Sequence, residues 1–211
     1  LGWLLLTSSV FKIKNIEIKG DAGDETKLAI ESLRNKNIFL IGGKKAEREI
    51  AKKQPGIKNI NIVRGIPHTL IISLVERDTA VLWVSNGKTY LTDKDGIAFK
   101  ESDTNYPKII DNKNLPVKIG DHVASASFIN YILRIYSIFP TELNFGIDQV
   151  VIPETTYQVE LSLKDRPLHI KLETTRPIEE QIADIKYILN SYKDQSVNLI
   201  DIRIPGFAYI R

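Results

Sequence analysis

The chain has 211 residues, of which 26% are charged and 43% apolar, proportions typical of a folded globular protein rather than a disordered or multi-span membrane protein. Its 29 basic and 26 acidic residues are interspersed, so the charge pattern disfavours nucleic-acid binding. Cysteine is absent, which excludes disulfides, thiolate metal ligands and cysteine nucleophiles.

Residues 1–6 are apolar and include Trp3, but a bilayer span needs about 20 apolar residues. They are either the outer end of a spanning or signal segment, or an apolar strand tucked into a core. No turn signal separates them from the charged strand that follows, which favours the first interpretation. The sequence also contains no methionine. We therefore expect a segment upstream of Leu1 and treat residues 1–10 as the end of a truncated transmembrane segment.

Residues 11–77 have the pattern of a small α+β unit. Apolar residues alternate over residues 11–20, which predicts a strand with one face in water. Two helical patterns follow, at residues 26–34 with Asp24 as the expected cap, and at residues 44–54. The stretch 57–75 then predicts an antiparallel hairpin. The order β-α-α-β-β predicts two helices packed on one face of a three-stranded sheet.

Residues 78–211 are richer in strands. Asn86-Gly87 is a strong signal for a two-residue hairpin turn, and Asp95-Gly96 is a second signal of the same kind. An amphipathic helix is predicted after Ser125 with its end before Pro140, and a second helix is predicted to begin at Pro177. This part of the chain therefore predicts a mostly antiparallel β domain with two packed helices.

No stretch of the sequence has the spacing of a catalytic or metal site. Gly42-Gly43-Lys44-Lys45 lacks the Walker spacing and is better read as a helix start. Asp93 and Asp95 are better read as turn residues than as calcium ligands or an acid/base pair. The histidines (His68, His122 and His169) have no metal-ligand spacing. We predict no enzymatic activity, cofactor, metal or small-molecule substrate.

One charged helix face and the last strand are candidates for interaction surfaces. The second helix carries Lys44, Lys45, Arg48, Lys52 and Lys53, which form either a solvated face or a surface for an anionic membrane or protein. Residues 207–210 are uncharged and favour β structure at the chain's end. They form either a central strand or an edge strand that a partner covers, and the sequence favours neither.

The chain resembles the FtsQ/DivIB family of bacterial cell-division proteins over almost its whole length. Residues 11–77 resemble that family's POTRA domain and residues 78–211 its β domain. The stretches that carry the resemblance are residues 11–20, 37–41, 55–77, 80–83, 90–99 and 200–203 with the terminal strand.

The resemblance implies a non-enzymatic scaffold of the cytoplasmic membrane, with one spanning helix and two extracytoplasmic domains at the division septum. It implies that the β domain binds the coiled-coil proteins FtsB/DivIC and FtsL, and through them the peptidoglycan synthase FtsW and FtsI. FtsB/DivIC would add a strand along the C-terminal edge. The partner-binding residues expected there are Ile204, Phe207, Ala208, Tyr209, Ile210 and Arg211.

One pair of residues departs from the family pattern, and a second class of proteins shares the first unit. Relatives carry arginines just before the strand near Tyr157, whereas this chain has Glu154 and Thr155, which puts a charge contact to the partner in doubt. POTRA units also occur in outer-membrane assembly and secretion proteins, which remain the alternative. Such proteins continue into a barrel of alternating strands, and no such array follows Glu76.

Overall fold

The computed structural model describes residue 6, residues 8–164 and residues 166–211. These residues form two compact units, one ending at Arg77 and the other running over Asp78–Arg211. The expected end of a transmembrane segment falls mostly on residues 1–5 and 7, outside the described part. No helix within the described ranges is long and apolar enough to cross a bilayer.

The first unit consists of a three-stranded sheet and two helices. The sheet has the order β1-β3-β2, in which β1 runs parallel to β3, and β2 and β3 form an antiparallel hairpin. Side chains including Ile30, Leu70 and Ile72 are fully buried between the helices and the sheet. The elements are β1 Asn15–Lys19, α1 Asp24–Glu31, α2 Gly43–Lys53, β2 Ile57–Gly65 and β3 Thr69–Glu76.

Two details of the first unit differ from the sequence predictions. The first strand begins at Asn15 rather than residue 11, because the preceding backbone bonds elsewhere: the Ile13 amide donates to the Lys36 carbonyl oxygen over 2.9 Å. Asp24 is not the cap of α1, since it lies in the first turn and Gly23 precedes the helix. The Glu76 carboxylate accepts hydrogen bonds from the Gly23 amide (3.0 Å) and the Thr26 hydroxyl (2.8 Å), which hold the start of α1 against the end of β3.

The second unit is a nine-stranded sheet with two helices. Its order is β12-β11-β10-β9-β8-β7-β4-β5-β6, and most neighbouring strands are antiparallel. The predicted α+β fold class, a β-α-α-β-β unit followed by a mostly antiparallel β domain with two helices, is therefore confirmed. The elements are β4 Val81–Ser85, β5 Lys88–Thr92, β6 Ala98–Glu101, β7 Lys108–Asp111, α3 Ala126–Glu142, β8 Ile147–Ile152, β9 Gln158–Leu163, β10 His169–Glu173, α4 Ile178–Ser191, β11 Leu199–Asp201 and β12 Tyr209–Ile210.

A buried glutamine ties the two helices of the second unit to the sheet. Gln181 on α4 is fully buried, and its amide donates to the Tyr131 hydroxyl on α3 (3.0 Å) and to the Glu173 carbonyl oxygen on β10 (2.9 Å). Its side-chain oxygen accepts from the Glu173 amide (3.1 Å). Burial also raises the pKa of the Tyr131 hydroxyl, which therefore stays neutral. A satisfied network of this kind fixes α4 against the end of the sheet that carries β11 and β12.

The predicted end of α3 before Pro140 is wrong, since the helix continues to Glu142. Proline lacks an amide and so removes one backbone hydrogen bond, but in the last turn it interrupts no further turn of helix. The Thr141 hydroxyl donates to the Ile138 carbonyl oxygen (3.0 Å) and helps to satisfy that turn. Asn144, at a φ of 57°, then redirects the chain.

Candidate partner-binding site

The last strand lies at one end of the nine-stranded sheet. Ile210 and Tyr209 pair antiparallel with Ile200 and Asp201 of β11, and no other described strand pairs with β12. The sequence left open whether this strand is central or at an edge, and the structure places it at the edge. Only Tyr209–Ile210 is extended, so the strand is shorter than the predicted span of residues 207–211.

A tight turn brings the chain back from β11 to β12. The Phe207 amide donates to the Ile204 carbonyl oxygen over 3.1 Å, and Gly206 has a φ of 76°. Pro205 before a glycine of positive φ is the residue pair that a type II turn requires. The sequence therefore specifies the turn locally, while the pairing of β12 depends on β11.

The hydrogen-bond pattern shows which backbone groups of β12 face outward. The Arg211 amide donates to the Leu199 carbonyl oxygen (3.1 Å), and the Leu199 amide donates to the Arg211 carbonyl oxygen (2.9 Å). Successive residues of a strand direct their amides and carbonyls to opposite sides. Tyr209 therefore bonds toward β11, whereas the Ile210 amide and carbonyl point to the open edge, and Ala208 continues that alternation.

Exposed apolar side chains surround this edge. Ile204, Phe207 and Tyr209 are 66%, 75% and 60% exposed. A cleft of about 500 Å³ lies on the face that carries Tyr209, and its lining includes Gln158, Glu173, Asp201 and Arg203. A second cleft, of about 340 Å³, lies between α4 and β12 and includes Tyr187, Tyr192, Ile202 and Ile210. Clustered exposed apolar groups of this kind mark interaction surfaces.

The positively charged Arg203 side chain is held in one position on the face of the sheet that carries Tyr209. Its guanidinium bonds both carboxylate oxygens of Asp201, at 2.8 Å from Nε and 2.6 Å from Nη2, and donates to the Gln158 side-chain oxygen at 2.6 Å. The bond to Arg203 lowers the pKa of the Asp201 carboxyl, so Asp201 is ionised at neutral pH. This bidentate geometry holds the guanidinium beside the open edge, where it can meet a carboxylate or carbonyl oxygen.

Glu154 lies close to this cation. It lines a cleft of about 270 Å³ together with Gln158, Glu160, Lys171 and Arg203. An acidic side chain therefore stands where relatives were expected to carry an arginine, and Arg203 and Lys171 remain as the cations of that cleft.

Sequence reasoning nominated the residues of the last strand but missed Arg203, Tyr187 and Tyr192. Tyr187 is 74% exposed on α4, whose buried face is formed by residues such as Ile182 and Ile185. An aromatic residue on the polar face of an amphipathic helix was the available signal for Tyr187. Arg203 had no comparable signal, since its position depends on a contact with Gln158 of β9, which lies two strands away from β11 in the sheet.

The aspartates and glycines that the sequence analysis considered as possible site residues stabilise a turn or begin a helix. Asp93 and Asp95 lie in a turn, as predicted, and the Asp93 carboxylate accepts from the Asp95 and Ile97 amides at 3.0 and 2.9 Å. Asp93 is buried, however, and not a surface residue. Gly42 caps the start of α2. Within the described ranges, no group of three or more histidine or acidic side chains could hold a metal ion.

Comparison with known families decides the identity of the two units. Residues 11–77 match the family model of the FtsQ-type POTRA domain. Residues 81–203 match the family model of the C-terminal region of cell division protein FtsQ/DivIB. The chain belongs to the FtsQ/DivIB family. This match favours the cell-division family over the outer-membrane assembly or secretion proteins that the sequence left as an alternative.

Three relatives within the FtsQ/DivIB family share about a quarter of their residues with the chain in the aligned regions. The cell division protein FtsQ of Rickettsia conorii is 28% identical over 207 residues, which are 95% of this chain and 72% of the relative. FtsQ of Rickettsia bellii is 24% identical over 208 residues, with the same coverage. FtsQ of Chloroflexus aurantiacus is 28% identical over 122 residues, which are 55% of this chain and 44% of the relative. The chain thus spans only part of the length of these relatives.

Proposed function

We propose that this chain is the extracytoplasmic part of a non-enzymatic divisome scaffold that binds an FtsB/DivIC-type protein by strand addition at β12. The observation that carries the proposal is the outward-facing backbone of Ile210 at the end of the sheet, flanked by exposed Ile204, Phe207 and Tyr209. Unpaired edge strands are templates for pairing with another chain, and proteins normally cover or blunt them. The family's role in cell division makes a partner strand the natural occupant.

The two clefts beside β12 define what the partner strand must offer. Alternate side chains of an added strand point to opposite faces of the sheet. One set would enter the cleft beside Arg203, where a carboxylate or amide can reach the guanidinium. The other set would lie against Tyr187 and Tyr192, where apolar side chains are favoured. The partner segment therefore alternates polar or acidic residues with apolar ones.

Family membership supports a wider assembly, which forms part of the proposal. An FtsL-type protein binds alongside the FtsB/DivIC-type partner, and the complex acts indirectly on the FtsW/FtsI peptidoglycan synthase at the septum. A single transmembrane helix upstream of the described residues anchors the chain in the cytoplasmic membrane. Apolar residues 1–6 support this anchor.

A proline at the open edge tests strand addition. Ile210→Pro removes an amide that makes no bond within β11 and β12, and it blocks the ladder with the partner. It also shortens a partly buried side chain that packs against the core, so we expect a folded protein of reduced stability. We expect the dissociation constant for the purified FtsB/DivIC-type partner to rise at least about tenfold, since each backbone bond is worth roughly 0.5–1.5 kcal/mol and the ring adds a steric block. The measurements are calorimetric titration and thermal unfolding.

The opposite edge of the same sheet provides a matched control. Glu101 on β6 pairs with Tyr90, while the neighbouring Ser102 amide donates to the Thr89 carbonyl oxygen, so the Glu101 amide faces away from β5. Glu101→Pro should leave partner affinity within about twofold. Ala208→Pro replaces Ile210→Pro if the latter unfolds. Normal affinity in a folded Ile210→Pro or Ala208→Pro protein would refute binding at β12.

A further inference from the structure

The first unit has a distinct end where the chain arrives from the apolar N-terminal residues. The Asn37 side-chain amide donates to the Leu6 carbonyl oxygen (2.8 Å), and the Ile38 amide donates to the Phe11 carbonyl oxygen (2.8 Å). The rings of Phe11 and Phe39 lie 5.0 Å apart. These contacts join the arriving segment to the connection between α1 and α2.

The turn between β2 and β3 belongs to the same end. The Lys14 amide donates to the His68 carbonyl oxygen (2.9 Å), and the Arg64 guanidinium donates to the Ile41 carbonyl oxygen (2.6 Å). Three segments, residues 8–14, 34–45 and 64–69, therefore meet here. We call their exposed surface the basic surface.

Positive charge predominates on this surface. Its three segments contain seven lysines and arginines and neither aspartate nor glutamate, and all seven cations are exposed. Neighbouring carboxylates pair with two of them, Glu31 with Arg34 and Glu47 with Lys44. The cations are Lys12, Lys14, Arg34, Lys36, Lys44, Lys45 and Arg64.

Apolar side chains lie exposed among these cations. Val10, Leu40 and Ile66 are 52%, 67% and 62% exposed. Leu40 also lines a groove of about 360 Å³, whose charged lining residues are three lysines and one carboxylate: Lys36, Lys45, Lys53 and Glu49. Exposed apolar side chains interspersed with lysine and arginine are the composition of surfaces that rest in the headgroup region of anionic bilayers.

The other end of the same unit has a different character. β1 runs away from the basic surface; the connection that follows it carries Asp21, and the first turn of α1 carries Asp24 and Glu25. These three acidic side chains are thus separated from the basic surface by the length of β1. Such a polarised unit presents only one end to a negative surface.

We propose that the basic surface binds the anionic lipid headgroups of the membrane in which the chain is anchored. The inference rests on the membrane location proposed above, but lipid binding is measured separately from strand addition at β12. Each lysine or arginine near an anionic bilayer contributes about 1 kcal/mol, or about fivefold in partitioning. The contact orients the first unit on the bilayer, with Leu40, Val10 and Ile66 reaching toward the acyl boundary.

Vesicle binding by the 211-residue chain tests the proposal. Two vesicle types are compared, one of phosphatidylcholine alone and one with about a third phosphatidylglycerol, an anionic lipid. The apolar residues 1–6 contribute equally to both, so the difference between them isolates the charge-dependent contact. We expect tighter binding to the anionic vesicles, weakened by salt because exposed charges are screened.

A pair of charge reversals locates the contact. Lys36→Glu with Lys45→Glu should lower binding to anionic vesicles at least about 25-fold, toward the level seen with phosphatidylcholine. The matched control, Lys19→Glu with Lys27→Glu, changes net charge equally at the acidic end and should lower binding no more than about twofold. Partner affinity at β12 should stay unchanged in both.

Three results would overturn the proposal. Equal binding of the unmodified chain to both vesicle types would exclude an anionic lipid contact. An equal loss in both double variants would assign the effect to net charge and not to this surface. Binding to soluble polyglutamate but not to anionic vesicles, sensitive to Lys36→Glu with Lys45→Glu, would assign the surface to an acidic protein partner instead.

Discussion

Two glycines of the second unit have the same backbone strain but different expected effects on function. Gly206 lies in the turn before β12 and Gly87 in the hairpin between β4 and β5, at φ of 76° and 72°. A side-chain carbon added at either position would meet no atom within 4 Å. Alanine at either site therefore introduces conformational strain without a clash.

The expected change in the free energy of unfolding follows from the positive φ and the open space around each glycine. An L-residue in the left-handed region costs roughly 1–2 kcal/mol relative to glycine. Alanine also lowers the conformational entropy of the unfolded chain, and this effect stabilises the folded state by about 0.4–1 kcal/mol. We expect a net destabilisation of about 1 kcal/mol for Gly87→Ala, and more for Gly87→Val, because a β-branched residue resists positive φ.

Gly206→Ala introduces the same conformational strain, but there it mainly weakens the pairing of β12 with β11, because only a few backbone hydrogen bonds hold β12. A penalty of about 1 kcal/mol corresponds to a roughly fivefold weaker affinity for the FtsB/DivIC-type partner. Gly87→Ala should change that affinity by less than about twofold while lowering the free energy of unfolding. Titration calorimetry and urea denaturation of both variants measure these effects. Equal affinities for the two variants would refute the link between the turn and partner binding.

Three further predictions concern other parts of the chain. Asp93→Ala should lower the free energy of unfolding, measured by urea denaturation, by about 1–3 kcal/mol, because the buried carboxylate accepts hydrogen bonds from two amides. Asp93→Asn retains an acceptor oxygen and should lower it less. Equal losses in the two variants would contradict this explanation. The hydrogen bond from Arg203 lowers the pKa of the Asp201 carboxyl in the folded protein. The ion pair therefore stabilises the fold fully at a pH above the pKa of Asp201 in the unfolded chain, and this stabilisation is lost as the pH falls through the pKa of Asp201 in the folded protein. The unfolding free-energy difference between the unmodified protein and Arg203→Gln should thus shrink below about pH 4, and a pH-independent difference would exclude the ion pair as its cause. With the native upstream segment restored, a C-terminal alkaline phosphatase fusion should be active, and activity only from a cytoplasm-dependent reporter would contradict the proposed topology.

The sequence alone determined the elements whose signals are local. Asn86 and Gly87 have the positive φ values that their hairpin predicted, and Pro205-Gly206 forms the type of turn that this residue pair favours. The two helices and the hairpin of the first unit lie within a few residues of their predicted limits. Turn chemistry and hydrophobic periodicity act between residues close in the chain, so they can be read without the fold.

Other features were decided only by distant contacts. The hydrogen bonds of the Glu76 carboxylate at the start of α1 join residues about fifty positions apart, and Asp24, which the local pattern favoured as the cap, lies inside the helix. The edge position of β12 depends on the order in which nine strands assemble. Arg203 stands beside that edge because Asp201 and Gln158, on two different strands, hold its guanidinium. Local pattern predicted a strand at the chain's end, but only the tertiary structure determined which of its backbone groups face outward, because that depends on which neighbour it pairs with.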